Sequence, residues 1–96
     1  MIKHIVFWTL KEENKANDLK ELKDRLLQLP SQIKEIVELE VGVNYNQDAT
    51  AFDVSLYSTF RSKADLDAYQ VHPAHQKVVS YMKTIVKNRA VVDYEI

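Results

Sequence analysis

The chain has no cysteine. No disulfide can staple it, and no thiolate is available as nucleophile or metal ligand. It also lacks an excess of charge of one sign: 13 basic and 14 acidic residues leave a net charge of −1, and the two signs are interspersed. That balance argues against a nucleic-acid groove or an anionic membrane surface as partner. No long hydrophobic run is present, and no basic segment precedes one. Neither a signal peptide nor a membrane span is therefore expected, and the expected location is cytoplasmic. Repeats, low-complexity segments and linkers are absent too, so the 96 residues read as a single domain, 1–96. A chain this short buries only roughly two-thirds of the surface its unfolded form exposes, so its one core is thin.

Histidine is scarce, with three in all, and two fall in the stretch Tyr69-Gln70-Val71-His72-Pro73-Ala74-His75. Pro73 suits the first position of a helix, where its missing N–H would have been unpaired anyway. His72, just before a proline, is pushed out of helical conformation into the cap position. From His75 the apolar residues Val78, Val79, Met82, Ile85 and Val86 follow at offsets of 3, 4, 7, 10 and 11, one helical face. His75 thus points at the core. A buried imidazole needs a polar partner, and Tyr69 and His4 are the candidates.

The rest reads as scaffold. Residues Ile2 to Leu10 form a strand in which Ile5-Val6-Phe7-Trp8 are apolar in a row, so both strand faces require cover. One layer of helices covers one face; a second copy of the chain is the simplest cover for the other. Glu12 to Gln28 reads as an amphipathic helix with Ala16, Leu19, Leu22, Leu26 and Leu29 as its stripe, ended by Pro30 and Ser31. Ile36 to Val43 and Phe52 to Phe60 alternate as two strands, paired as a hairpin across a long polar turn. Glu38 and Glu40 share a face with Ile36 and Gly42, and at an interface they would need cations such as Arg61 or Arg89. Ser62-Lys63-Ala64-Asp65 resembles a capping box and opens a short helix to about Gln70. The long helix after Pro73 runs to about Asn88, and Arg89 to Ile96 is the last strand, with Ala90, Val92, Tyr94 and Ile96 on one face. The order β-α-β-β-α-β predicts an α+β fold of ferredoxin-like type, an antiparallel four-stranded sheet with helices on one face.

Met1-Ile2-Lys3-His4-Ile5-Val6, the Tyr69–His75 stretch and Ala90-Val91-Val92-Asp93-Tyr94 together resemble the stress-responsive α/β barrel (Dabb) family, over essentially the whole chain. The resemblance implies a dimeric α/β barrel, a homodimer joined through sheet faces. It also brings in plant polyketide cyclases of this fold, which close a ring by aldol chemistry without metal or cofactor. In those enzymes a Tyr and the second His of the Tyr-x-x-His-Pro-x-His element act at the substrate. By position these are Tyr69 and His75, and the first-strand His is His4. Trp8 shares a strand face with His4 and Val6, and its indole takes volume that a long acyl chain needs, which points to a smaller organic ligand.

Two readings follow. In one, the protein binds a small molecule and carries out cofactor-free lyase or cyclase chemistry. His75 is then the base, Tyr69 the oxyanion donor and His4 an assistant, with Val6, Trp8 and His72 as ligand contacts. In the other it is a non-catalytic stress-related structural protein whose His–Tyr cluster braces the helix break. A three-histidine metal site is disfavoured, because the rings of His72 and His75 should diverge and no carboxylate lies close in the motif.

Overall fold

The computed structural model describes residues 1–96. The chain runs through β1 (Ile2–Leu10), α1 (Lys15–Leu27), β2 (Ile36–Val43), β3 (Val54–Phe60), α2 (Lys63–Val71), α3 (Pro73–Ile85) and β4 (Val86–Glu95). The strands make one antiparallel sheet in the order β2-β3-β1-β4, with the helices on one face. This is the ferredoxin-like α+β arrangement. No helix is long and apolar enough to cross a membrane.

Alternation along β1 divides the sheet. Ile2, His4, Val6, Trp8 and Leu10 are buried beneath the helices, whereas Phe7 on the opposite face is 41% exposed. From α1, Leu22 and Leu26 are fully buried against this layer, joined by Leu29 and Ile33 just beyond the helix. Each such leucine contributes on the order of 2 kcal/mol by leaving water. Ala16, expected in the stripe, is exposed, because residues Glu12–Asn14 form a 3₁₀ turn and the α-helix begins only at Lys15.

Local chemistry sets the break between α2 and α3. The Ser62 hydroxyl accepts from the Asp65 N–H at 3.1 Å and caps α2. His72 is extended (φ −63, ψ 137), Pro73 opens α3, and His72 Nδ1 accepts from the Ala74 N–H at 3.0 Å.

Two boundaries and one register differ from those the periodicity suggests. The long helix stops at Ile85, not near Asn88: Val86 pairs with Leu10 across β1, and the Ile85 carbonyl accepts from the Lys11 N–H. Residues Ile85 and Val86 fit a helical stripe and a strand equally well, and sheet pairing decides. The third strand starts at Val54 rather than Phe52, since Asp53 turns its N–H to the Trp8 carbonyl and its carboxylate to the Leu10 N–H. In β2 a register shift between Ile36 and Glu38 places Ile36 opposite Phe60, on the helix-covered face. Ile36 and Glu38 therefore lie on opposite faces, not the same one. The cation on the open face beside Glu38 is Lys3, not Arg61 or Arg89. Its ammonium donates to Tyr57 and Thr59, and Thr59 donates to Glu38 at 3.4 Å.

Candidate functional site

A cavity of about 360 Å³ opens between the helices and the covered face of the sheet. That volume is in the range of small-molecule sites. Its apolar walls include Val6, Trp8, Leu26, Leu56 and Met82. Its polar lining comes from His4 on β1, Tyr69 and Gln70 on α2, His75 and Lys83 on α3, and Arg89 on β4. Alternation in β1 delivers His4, Val6 and Trp8 together, and the helical stripe brings His75 to the same space.

Tyr69 is completely buried, yet its hydroxyl has no hydrogen-bond partner. Its ring lies 4.3 Å from that of His75 and 6.1 Å from that of His4, measured between centroids. Burial pushes the phenol well above its ordinary pKa, against a smaller opposing effect of the Arg89 charge. The group is therefore a proton donor at neutral pH, aimed at nothing in the protein.

His75 has a defined tautomer. Its Nδ1 donates to the Gln70 carbonyl at 3.1 Å, because a carbonyl can only accept. Nε2 then carries the lone pair. Burial first, and then the charges of His4, Arg89 and His72, hold this imidazole below the usual histidine pKa; the Gln70 contact opposes them. His75 is thus neutral at pH 7 and able to take a proton.

His4 is tied differently. Its Nδ1 donates to the Asp93 carboxylate at 2.5 Å, across the β1–β4 ladder, where the two residues stand opposite each other. Asp93 fixes the tautomer and leaves Nε2 unprotonated when the ring is neutral. Neither Asp93 nor Arg89 is singled out by the motif around Tyr69. The signal for both is the alternation of the last strand: with Ala90, Val92 and Tyr94 on one face, Arg89, Val91 and Asp93 occupy the other.

His72 does not line the cavity. Its ring is committed to capping α3, so of the residues expected to meet a ligand it is the one placed elsewhere. No three His, Asp or Glu side chains converge as a metal-binding group.

The fold and the cavity together define an α+β protein of ferredoxin-like type with a partly polar pocket between helices and sheet. The family model for the stress responsive A/B barrel domain matches residues 2–96, and the chain belongs to that family. Among solved structures, a dimeric ferredoxin-like protein of unknown function from Bacteroides fragilis is 31% identical; the match covers 99% of this chain and 95% of that one, with a TM-score of 0.90. The hydroxynitrile lyase of Passiflora edulis is 21% identical, with a TM-score of 0.88 and coverage of 99% and 92%. A Dabb family protein from Mesorhizobium loti is 20% identical, with a TM-score of 0.78 and coverage of 99% and 95%. At such low identity the last two show a shared fold. No curated protein matches the chain significantly.

Proposed function

We propose that the cavity binds a small organic carbonyl compound and carries out acid–base chemistry on it without a cofactor. The observation that carries this reading is the buried, unpartnered Tyr69 hydroxyl beside a neutral His75 in an open apolar cavity. An unpaired buried hydroxyl costs about 1–3 kcal/mol, a cost that a ligand oxygen would remove. His75 Nε2 takes the proton from the carbon next to the carbonyl. The C–H electron pair forms the new C=C bond, the C=O π pair moves to the oxygen, and Tyr69 donates a hydrogen bond to the enolate that forms. His4, held by Asp93, faces the same space as the assisting group. The enolate then adds to a second carbonyl, or forms by the reverse cleavage, which gives cyclase or lyase outcomes from one arrangement.

A purely bracing role predicts a cluster in which every polar atom is paired to protein. His4 and His75 each have one such partner, and Tyr69 has none. The two readings part at that hydroxyl.

The test is proton exchange at the α-carbon of a panel of ketones and oxo acids in D₂O, followed by NMR. The parent should accelerate exchange for at least one compound, and His75→Ala should lose roughly 10²–10⁴-fold of that acceleration. Parent-level exchange by a folded His75→Ala protein would sink the assignment.

We further propose a homodimer through the open sheet face. Phe7 is 41%, Val92 58% and Tyr94 44% exposed there, side by side across β1 and β4. The Bacteroides neighbour is described as dimeric. Val92→Asp should yield a monomer by sedimentation, and a parent that sediments as a monomer would refute the dimer.

A further inference from the structure

Arg89 stands opposite Trp8 across the β1–β4 ladder, on the covered face of the sheet, and lines the cavity together with Lys83. Neither takes part in any of the four ion pairs of the chain, which use His4, Lys15 and Arg25. No aspartate or glutamate lines the cavity to neutralise them. The nearest acid on that strand face, Asp93, is already engaged by His4. Arg89 and Lys83, both exposed to solvent and neither paired with an acid, therefore border an apolar space that contains no anion.

The second, independent feature is the buried Tyr69 hydroxyl, unpartnered in the same cavity. The two features lie apart. His4 faces Asp93 and Trp8 faces Arg89, four residues along the same ladder. At roughly 3.3 Å per residue the separation is about 13 Å along the strand. The arginine side chain reaches back along the cavity, and its charge acts on both Tyr69 and His75. Between the two ends lie Val6, Trp8, Leu56 and Met82, which are apolar.

We infer that the cavity selects oxo acids in which an apolar body separates the carboxylate from the reacting carbonyl, with Arg89 holding the carboxylate and Lys83 beside it. Guanidinium pairs with carboxylate through two parallel N–H···O bonds, a geometry that an ammonium alone does not reproduce. An apolar body between the carboxylate and the carbonyl would fill the space beside Val6, Trp8, Leu56 and Met82. The inference rests on the proposed binding of a carbonyl compound at Tyr69 and His75 and adds the class of that compound.

The test pairs two acids, 3-(4-acetylphenyl)propionate and 6-oxoheptanoate, each with its methyl ester, against the full-length protein. Calorimetry gives the affinities, and protein NMR reports His4, Tyr69 and His75. Each acid should bind about tenfold or more tightly than its ester, which is roughly 1.4 kcal/mol. In Arg89→Gln the ratio should fall to near one, and Arg89→Lys should retain part of it; the amide spectra of both variants report whether the fold is kept. Equal affinities of acid and ester, with shifts at the three site residues, overturn the carboxylate selection and leave the carbonyl site standing. An acid preference that survives Arg89→Gln overturns the role of Arg89. If no acid or ester disturbs the three residues, the carbonyl site itself fails and the inference falls with it.

Discussion

The two faces of the sheet handle polar groups differently. On the open face, Lys3, Tyr57, Thr59 and Glu38 form a connected chain of hydrogen bonds. On the covered face, where an unpaired polar atom costs more, the buried Tyr69 hydroxyl has no partner. The open face keeps one unpaired group of its own, the Thr9 hydroxyl, but that group does not line the cavity. The contrast teaches where to look for a ligand: a polar group left unpaired at a cost to folding and facing a cavity marks a place that something else completes.

Tyr69→Phe should give the largest separation between the two faces. It removes one oxygen and keeps the ring that packs on Phe60 and His75. Since the hydroxyl has no partner, the variant should be as stable as the parent or more stable by about 1 kcal/mol. Its α-proton exchange should fall by roughly 10²-fold, as expected when an oxyanion donor is lost. Tyr57→Phe on the open face should do the reverse: a small loss of stability, because the Lys3 bond goes, and unchanged exchange. Urea denaturation and exchange rates measured on both variants make the comparison. It breaks if Tyr69→Phe unfolds more easily than the parent.

Asp93→Asn should come next. The amide oxygen can still accept from His4 Nδ1, so the ring stays in place while the charge opposite it goes. The exchange rate should drop, but by less than the roughly 10²–10⁴-fold expected for loss of the base itself. KM should hold while kcat falls, since Asp93 acts on His4 and not on the ligand. Asp93→Ala, which leaves Nδ1 free, should be the poorer of the two. Equal rates for Asn and Ala would mean that the tautomer of His4 is irrelevant to the chemistry.

Much of this architecture is legible in the residues. Alternation in β1 put His4, Val6 and Trp8 on one face, and the helical stripe after Pro73 brought His75 inward. The cap role of His72 followed from its place before Pro73. His72, expected among the ligand contacts, uses its Nδ1 to accept from the Ala74 N–H and does not line the cavity. What escaped was the part that depends on pairing between distant strands. Asp93 meets His4 across 89 positions of sequence, and Arg89 meets Trp8 by the same register. Nothing local to either residue marks that meeting. Arg89 looked like an interface cation for Glu38 and Glu40 until the register put it on the other face. The bulge at Ile36 and the end of α3 at Ile85 escaped for the same reason: hydrogen bonding to a neighbouring strand overrides a periodicity that local sequence continues.

The smallest expected effect is in the pH dependence of stability, and there the two faces should act at opposite ends of the scale. On the covered face, burial keeps His75 below its ordinary value of 6.5. The unfolded chain therefore binds that proton more readily, and stability falls as pH drops from 6.5 toward the folded value. Above 6.5 the histidine is neutral in both states and contributes no slope. On the open face, the hydrogen bond to Tyr57 is the main cause that raises Lys3 above 10.5. Its contribution is whole below 10.5 and is lost as pH rises through the folded value. Lys3 is exposed to solvent, so its effect is the weaker of the two. Denaturation midpoints measured from pH 5 to 11 should thus decline at both ends. His75→Gln should flatten the acid decline alone, and Lys3→Met the alkaline decline alone. The exchange reaction should follow the covered face only, with its acid limb below pH 6.5. A limb at or above 6.5 would mean that the proton acceptor is a group less buried than His75.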